Sequence, residues 1–188
     1  MPISYRPFDK RQLVYLREFV CEPKSETMQH MFYSGNMAMA VLRRNRKENS
    51  AGFFVSRGLI AKDLVSNLDD ALIWPLYRYR TNDLFYNSAN NLPVEANISS
   101  SAVKQFIDKV DLQWLDIGQG DLINNFGPQD LFNYIYAVFH SQEYRSRYAE
   151  PLNTDFPNIP ITSNPNLLRS LTPIGSKLVK VHLLEAPL

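Results

Sequence analysis

Four cations fall within five positions at Arg43, Arg44, Arg46 and Lys47 of this 188-residue chain. They come directly after MAMAVL (residues 37–42), a short apolar run that reads as a strand. On a loop, such a group neutralises several phosphates and releases their counterions. Asn45 and Asn49 lie among them with amides suited to an adenine edge, and an arginine can grip guanine through two hydrogen bonds. Arg57 follows GFFVS, and Arg78 and Arg80 follow ALIWPLY, so three predicted strands each lead into basic residues. The expectation is one basic rim at a sheet end, made by Arg43, Arg44, Asn45, Arg46, Lys47, Arg57, Arg78 and Arg80. For residues 43–47 the alternative is a solvated loop.

Other candidate chemistry is weaker. Residues 115–121, LDIGQGD, resemble the acid-Gly-x-Gly loop that holds S-adenosylmethionine in Rossmann-type methyltransferases, where glycines let the backbone approach the ligand at a strand-to-helix turn. Here the third glycine is missing, and Asp121 stands where the helix should open. Asp111, Gln113 and Asp116 interrupt the strand that should precede it. No Asn/Asp-Pro-Pro-aromatic tetrapeptide follows, since Asn164-Pro165-Asn166 lacks both the second proline and the aromatic. These residues imply a structural turn and no cofactor held by this chain. His30, His140 and His182 are scattered, and His140 ends an apolar helix where a cation is favourable. Cys21 has no histidine nearby in sequence and reads as a small buried apolar residue. There is no Gly-Lys-Ser/Thr phosphate loop and no carboxylate cluster with a following lysine, so neither a nucleotide-driven motor nor a nuclease centre is signalled. No catalytic or metal-ligating residue is assigned.

Composition is that of a globular chain with a real core, at 45% hydrophobic and 21% charged residues. No apolar run approaches the roughly 18–20 residues needed to span a bilayer. The first residues lack a basic-then-apolar leader pattern, and the lone cysteine excludes an internal disulfide. The expected location is cytoplasmic. A net charge of +1 conceals an asymmetry, because residues 1–80 carry 13 Lys+Arg against 8 Asp+Glu and residues 81–188 carry 7 against 11. A polyanion would meet the first part, although random scatter of surface charge is an equal alternative.

The elements that must position these groups divide into a strand-rich part, about residues 1–98, and a helical part, about residues 99–188, within one α+β domain. MAMAVL is apolar on both alternating faces, which suits a strand covered on two sides. Pro75 should place its strand at an edge or stop it. Residues 82–97 are long for a loop in a compact domain. Val103, Phe106, Ile107 and Val110 mark one helix after a serine run that can cap it. Gly127-Pro128 opens another, with Asp130 in its first turn and Leu131, Phe132, Ile135, Val138 and Phe139 on one face. A piece at about residues 142–150 should stop before Pro151, and residues 153–162 should be extended. Asn164-Pro165 and Thr172-Pro173 each read as a cap followed by a first helical proline, with Ile174, Leu178, Val181 and Leu184 buried in the last helix. Tyr134, Tyr136, Tyr144 and Tyr148 can bury their rings and keep their hydroxyls on polar partners. Arg6, Asp9 and Arg11 suggest an ion-pair corner.

Two blocks carry a resemblance: YRPFDKR at residues 5–11, and GDLINNFGPQDLFNYIYAVFHSQEYRSRYAEPLNTDFPNIP at residues 120–160. In content and order they resemble the C-terminal target-recognition (specificity) domain of single-chain type ISP and type IIG restriction-modification enzymes, with matching segments from Tyr5 to about Glu185. The resemblance implies a DNA-specificity module that binds duplex DNA and is not itself an enzyme. The parent enzyme would be an adenine-specific DNA methyltransferase with endonuclease activity, using S-adenosylmethionine and Mg. Its methyltransferase part would be this domain's partner, with no membrane involved. Two other readings stay open: a protein-interaction or assembly module of the same system without direct DNA contacts, and a free-standing small enzyme.

Overall fold

The computed structural model describes residues 1–16, 18–20, 24–33, 35–45, 52–79 and 94–186. Its first half holds β1 (Pro2–Arg6), β2 (Asp9–Gln12), α1 (Ser25–Met28), a 3-10 turn (Gln29–Met31), β3 (Ala38–Leu42), β4 (Phe53–Ser56), β5 (Leu59–Ile60), β6 (Ala71–Pro75), β7 (Tyr77–Tyr79) and β8 (Val94–Ala96). Its second half holds α2 (Ser100–Val110), β9 (Gln113–Trp114), β10 (Asn125–Phe126), α3 (Pro128–His140), α4 (Gln142–Arg147), α5 (Ala149–Thr154) and α6 (Pro165–His182). The class is α+β, with strands mostly N-terminal and helices C-terminal, as the sequence led us to expect.

An antiparallel sheet in the order β4-β3-β6 lies at the centre. All five residues of β3 are buried, because both faces of the strand are covered. The pleat sends Met39 and Val41 to the helices, and Ala38, Ala40 and Leu42 to an opposite cluster with Met28, Met31, Leu59 and Leu64. Phe53 and Val55 join the first cluster and Phe54 the second. β6 is an edge strand of this sheet and ends at Pro75, as the missing N–H requires. A smaller sheet, β2-β1-β5, covers the far side. The YRPFDKR block forms its hairpin, turning at Phe8 with φ +66°. Asp9 pairs with Arg11 at 2.9 Å, whereas Arg6 reaches Asp63 at 2.8 Å, so the expected corner resolves into two separate pairs.

α3 is the central helix of the second half. Pro128 occupies its first turn, where a missing N–H costs nothing. The Asp130 carboxylate accepts from the backbone N–H of Gly127 at 2.9 Å and of Gly120 at 2.6 Å. Leu131, Phe132, Val138 and Phe139 are buried as expected, Ile135 is half-buried, and Phe139 stacks on Phe53 with centroids 4.3 Å apart. Tyr134 and Tyr144 donate their hydroxyls to the carbonyls of Pro160 at 2.9 Å and Asn158 at 2.8 Å, which pins the connector before α6.

Four local expectations are corrected. α4 ends at Arg147, and α5 runs through Pro151, which sits in its first turn where no intrahelical N–H is needed. Asn153 and Thr154 are therefore helical and only the residues after them are extended. α6 is continuous from Pro165 through Pro173, so Thr172-Pro173 is no cap. Its buried face is Leu168, Thr172, Gly175 and Val179, followed by Leu183, while Ile174, Val181 and Leu184 are 56%, 50% and 62% exposed. The phase is set by Gly175, where a Cβ would lie 1.9 Å from the Asn133 carbonyl oxygen of α3. No side chain fits at that crossing, and the neighbouring apolar stripe is turned outward.

His140 is also corrected. Burial, aided by His182 and Arg145, lowers its pKa to about 4, so it is neutral at the helix end and not a cation. Its Nε2 is buried with no hydrogen-bond partner among the described residues. His182 is lowered by burial as well, and its Nδ1 meets the Tyr136 hydroxyl. The two imidazoles lie 5.2 Å apart, with Phe54 stacked on His182 at 5.3 Å. Cys21 lies outside the described residues.

Two outcomes follow from this packing. Gly175→Ala should destabilise the protein by about 1–3 kcal/mol, since an added methyl must push two helix backbones apart; an unchanged melting midpoint would refute the close crossing. The unfolded chain protonates its histidines near pH 6.5, before the folded chain does, so stability is full above that pH and declines as pH falls toward about 4. Thermal melts across this range should show the decline, and His140→Phe should flatten it. Parallel curves for the two proteins would remove His140 as its source.

Candidate nucleic-acid interface

Strand direction decides how the basic residues are distributed. In β3 and its neighbours, Leu42 pairs with Ala71 and Ala38 with both Ser56 and Pro75. Arg43 and Arg44 therefore leave one end of the sheet, and Arg57 and Arg78 leave the other. Five residues of strand separate the ends by roughly 16 Å. The single rim expected from sequence is thus two groups, because antiparallel neighbours place their C-termini at opposite ends. Arg46, Lys47, Asn49 and Arg80 lie outside the described residues.

The two ends differ in how far their charge is compensated. Arg57 Nε donates to Glu185 Oε1 at 2.8 Å, and its Nη1 to the Gly35 carbonyl at 3.0 Å. Arg78 pairs with Glu95 at 2.9 Å, directly across the β7–β8 ladder. This end is also tightly built. Buried Asn36 donates to the His30 and Tyr77 carbonyls and accepts from the N–H groups of Met37 and Tyr77. His30 Nδ1 accepts from the Tyr79 N–H at 3.2 Å, and burial with Arg78 nearby lowers the pKa of His30. Tyr33 and Tyr79 stack at 4.1 Å.

At the opposite end, Arg43 is 59% exposed and its nearest carboxylate, Asp155, is 3.8 Å away, with the Phe156 ring 5.4 Å from the guanidinium. Arg44 is exposed and makes no ion pair among the described residues. Asn45 is half-buried, and its N–H donates to the Leu152 carbonyl of α5 at 3.0 Å. Gly52, at φ +75°, returns the chain beside the Asn45 side chain. The basic segment therefore starts from a fixed base with its first two charges facing water.

The LDIGQGD segment joins β9 to β10, two short parallel strands, rather than a strand to a helix. Both of its glycine amides are committed within the fold. Gly118 N–H donates to the Tyr77 hydroxyl at 2.8 Å and Gly120 N–H to Asp130. Asp121 Oδ1 accepts from Ile123, Asn124 and Asn125, and these bonds hold its carboxyl far below the usual carboxylate range. Gly120 packs against Asn125, where a Cβ would meet the carbonyl oxygen at 2.3 Å. The structural turn expected from sequence is what the chain builds.

Asp130, Asn36, Glu95, Asp155 and Glu185 matter most to this geometry, and sequence reasoning gave only Asp130 a local role. Arg57 and Glu185 are 128 residues apart, and no local pattern links them. Glu95 is separated from Arg78 by residues too many for a tight hairpin, so its register could not be read.

The family model of the Type ISP C-terminal specificity domain matches residues 1–187. The chain belongs to this family. Solved structures agree in fold. One is the DrdV–DNA complex determined by cryo-electron microscopy, with a TM-score of 0.70, 23% identity, and coverage of 97% of this chain and 15% of that one. Another is a nuclease-deletion mutant of the Type ISP restriction-modification enzyme LlaGI in complex with a DNA substrate mimic, with a TM-score of 0.61, 24% identity, and coverage of 97% and 11%. This chain thus spans only a small part of the length of each of those chains. No curated protein matches the chain. Among the described residues no helix is long and apolar enough to cross a membrane, and no group of three or more His, Cys, Asp or Glu is placed to hold a metal ion.

Proposed function

We propose that this chain is the DNA target-recognition module of a restriction-modification enzyme, reading duplex sequence for a methyltransferase and nuclease carried elsewhere. The observation that carries the reading is the basic segment after β3, anchored on α5 with Arg43 and Arg44 facing solvent, in a member of the Type ISP specificity family. Arg43, Arg44, Arg46 and Lys47 contact phosphates and one of the arginines reads a base edge, while Asn45, whose Oδ1 is buried, anchors the segment on α5. Arg57, Arg78 and Arg80 follow strands at the other end. There, DNA contact by Arg57 or Arg78 requires exchange of Glu185 or Glu95 for a phosphate. The parent enzyme methylates adenine with S-adenosylmethionine, cuts unmodified DNA with Mg, and flips the target base into a pocket outside this chain. The whole acts in the cytoplasm.

Duplex binding across a salt series tests the interface. Arg43→Ala, Arg44→Ala and Arg46→Ala should each weaken binding to all sequences and reduce the salt slope by about one where a phosphate contact is lost. Loss of a base contact should cost about 1–3 kcal/mol and relax one position of the site. Arg57→Ala should leave the slope unchanged. Identical slopes and affinities in all variants would favour an assembly module without DNA contacts.

The chain alone should also give no saturable heat on titration with S-adenosylmethionine up to about 1 mM, a bound of roughly 4 kcal/mol. The committed amides of the β9–β10 loop motivate this. A saturable signal abolished by Asp116→Ala would overturn it.

A further inference from the structure

α6 has two apolar faces. One packs on α3 through Leu168, Thr172, Gly175 and Val179. The other consists of Leu167, Leu171, Ile174, Leu178 and Val181, spaced four, three, four and three residues apart. That is the alternation of a two-stranded coiled-coil seam over two heptads, about 21 Å long. Leu167, Ile174 and Val181 are 42%, 56% and 50% exposed, whereas Leu171 and Leu178 are half-buried and already pack on the core, leaving their outer edges to the seam. Beside its N-terminal end lies a groove of about 360 Å³, lined by Tyr134, Val138, Tyr144 and Tyr148 together with Leu167 and Leu171. Leu167, Ile174 and Val181, seven residues apart on one face, extend the half-covered edge of Leu171 and Leu178 into an exposed apolar stripe, the kind of surface that marks a contact site.

We propose that this seam docks an amphipathic helix with an acidic flank, supplied by the methyltransferase-bearing part of the enzyme. The inference rests on the reading above that such a part exists, and it names the surface and the chemistry of the contact. Two observations select this occupant. α6 carries the cations Arg169, Lys177 and Lys180 and no Asp or Glu, so its field favours a carboxylate-bearing partner. In heptad terms one flank of the seam, Leu168 and Gly175, is buried against α3, and the open flank holds Ser170 and exposed Lys177. One partner helix fits there, with an Asp or Glu opposite Lys177. In addition, the solved neighbours hold this fold as 15% and 11% of their chains, which leaves ample polypeptide to supply the helix. A duplex is a poor occupant, because five aliphatic side chains offer phosphates nothing.

The test places the photo-crosslinker p-benzoylphenylalanine at position 174 of the intact enzyme and maps the product by mass spectrometry, with position 104 on α2 as control. The expected product joins position 174 to a segment of the methyltransferase-bearing part in which Leu, Ile or Val recur at three- and four-residue spacing beside Asp or Glu. Lys177→Glu should lower its yield several-fold. A crosslink between two copies of position 174, a crosslink to DNA, a segment without that pattern, or no product beyond the control overturns the proposal. Ile174→Glu in the chain alone should leave both the melting midpoint and the salt-dependent duplex binding unchanged, and a loss of either also overturns it. Failure of wild-type duplex binding with the expected crosslink present would count against the DNA reading and leave the seam standing.

Discussion

The approach of α6 to α3 at Gly175 constrains much of the rest. A Cβ there would stand 1.9 Å from the Asn133 carbonyl oxygen, so the two backbones meet with nothing between them. Once that contact is made, helical geometry leaves one rotation for α6. Leu168 and Val179 enter the core, Thr172 comes against the start of α3 beside Asp130, and Ile174 turns outward. The same contact fixes the end of α6. His182 reaches the Tyr136 hydroxyl, Lys10 donates to the Leu183 carbonyl at 3.2 Å, and Glu185 is delivered to Arg57. A glycine in mid-helix, unfavourable by propensity alone, is what lets the helical half close onto the sheet.

Much of the architecture was legible because it rests on local rules. The unbroken apolar run of β3 foretold a strand covered on both sides, and Pro75 foretold an edge. Ser99 caps α2 by accepting from Ala102, and Pro128 begins α3. What failed depended on contacts distant in sequence. The phase of α6 could not be read from its own residues, because two apolar stripes compete and the deciding partner is the backbone of Asn133. His140 has sequence neighbours that allow a helix-end cation. Its environment is made by Phe53, Tyr136 and His182, which exclude water and lower its pKa. The hairpin of β1 and β2 was missed, since DKRQ has no apolar alternation and only Asp9 of that strand is even half-buried.

The candidate interface shows the same division. Sequence marks every arginine that follows a strand, and all of those look alike until strand direction and counter-charge are known. In an antiparallel sheet, neighbouring strands end at opposite rims, so the arginines after β3 are sent away from those after β4 and β6. The carboxylates then separate their roles. A guanidinium 2.8 Å from Glu185 is held in an ion pair, whereas Arg43 at 3.8 Å from Asp155 and more than half exposed keeps most of its field for a partner. Arg57 ties the end of β4 to the end of α6, and Arg78 ties β7 to β8, so both cations of that rim are already closely paired. The basic segment after β3 differs: its backbone is anchored on α5, Arg43 has only a long contact to Asp155, and Arg44 is exposed with no ion pair among the described residues. For a surface that must meet a polyanion, a fixed backbone with weakly compensated charge is the physical requirement, because a closely paired cation has to break a bond to make one, and Arg43 gives up only a long contact to Asp155.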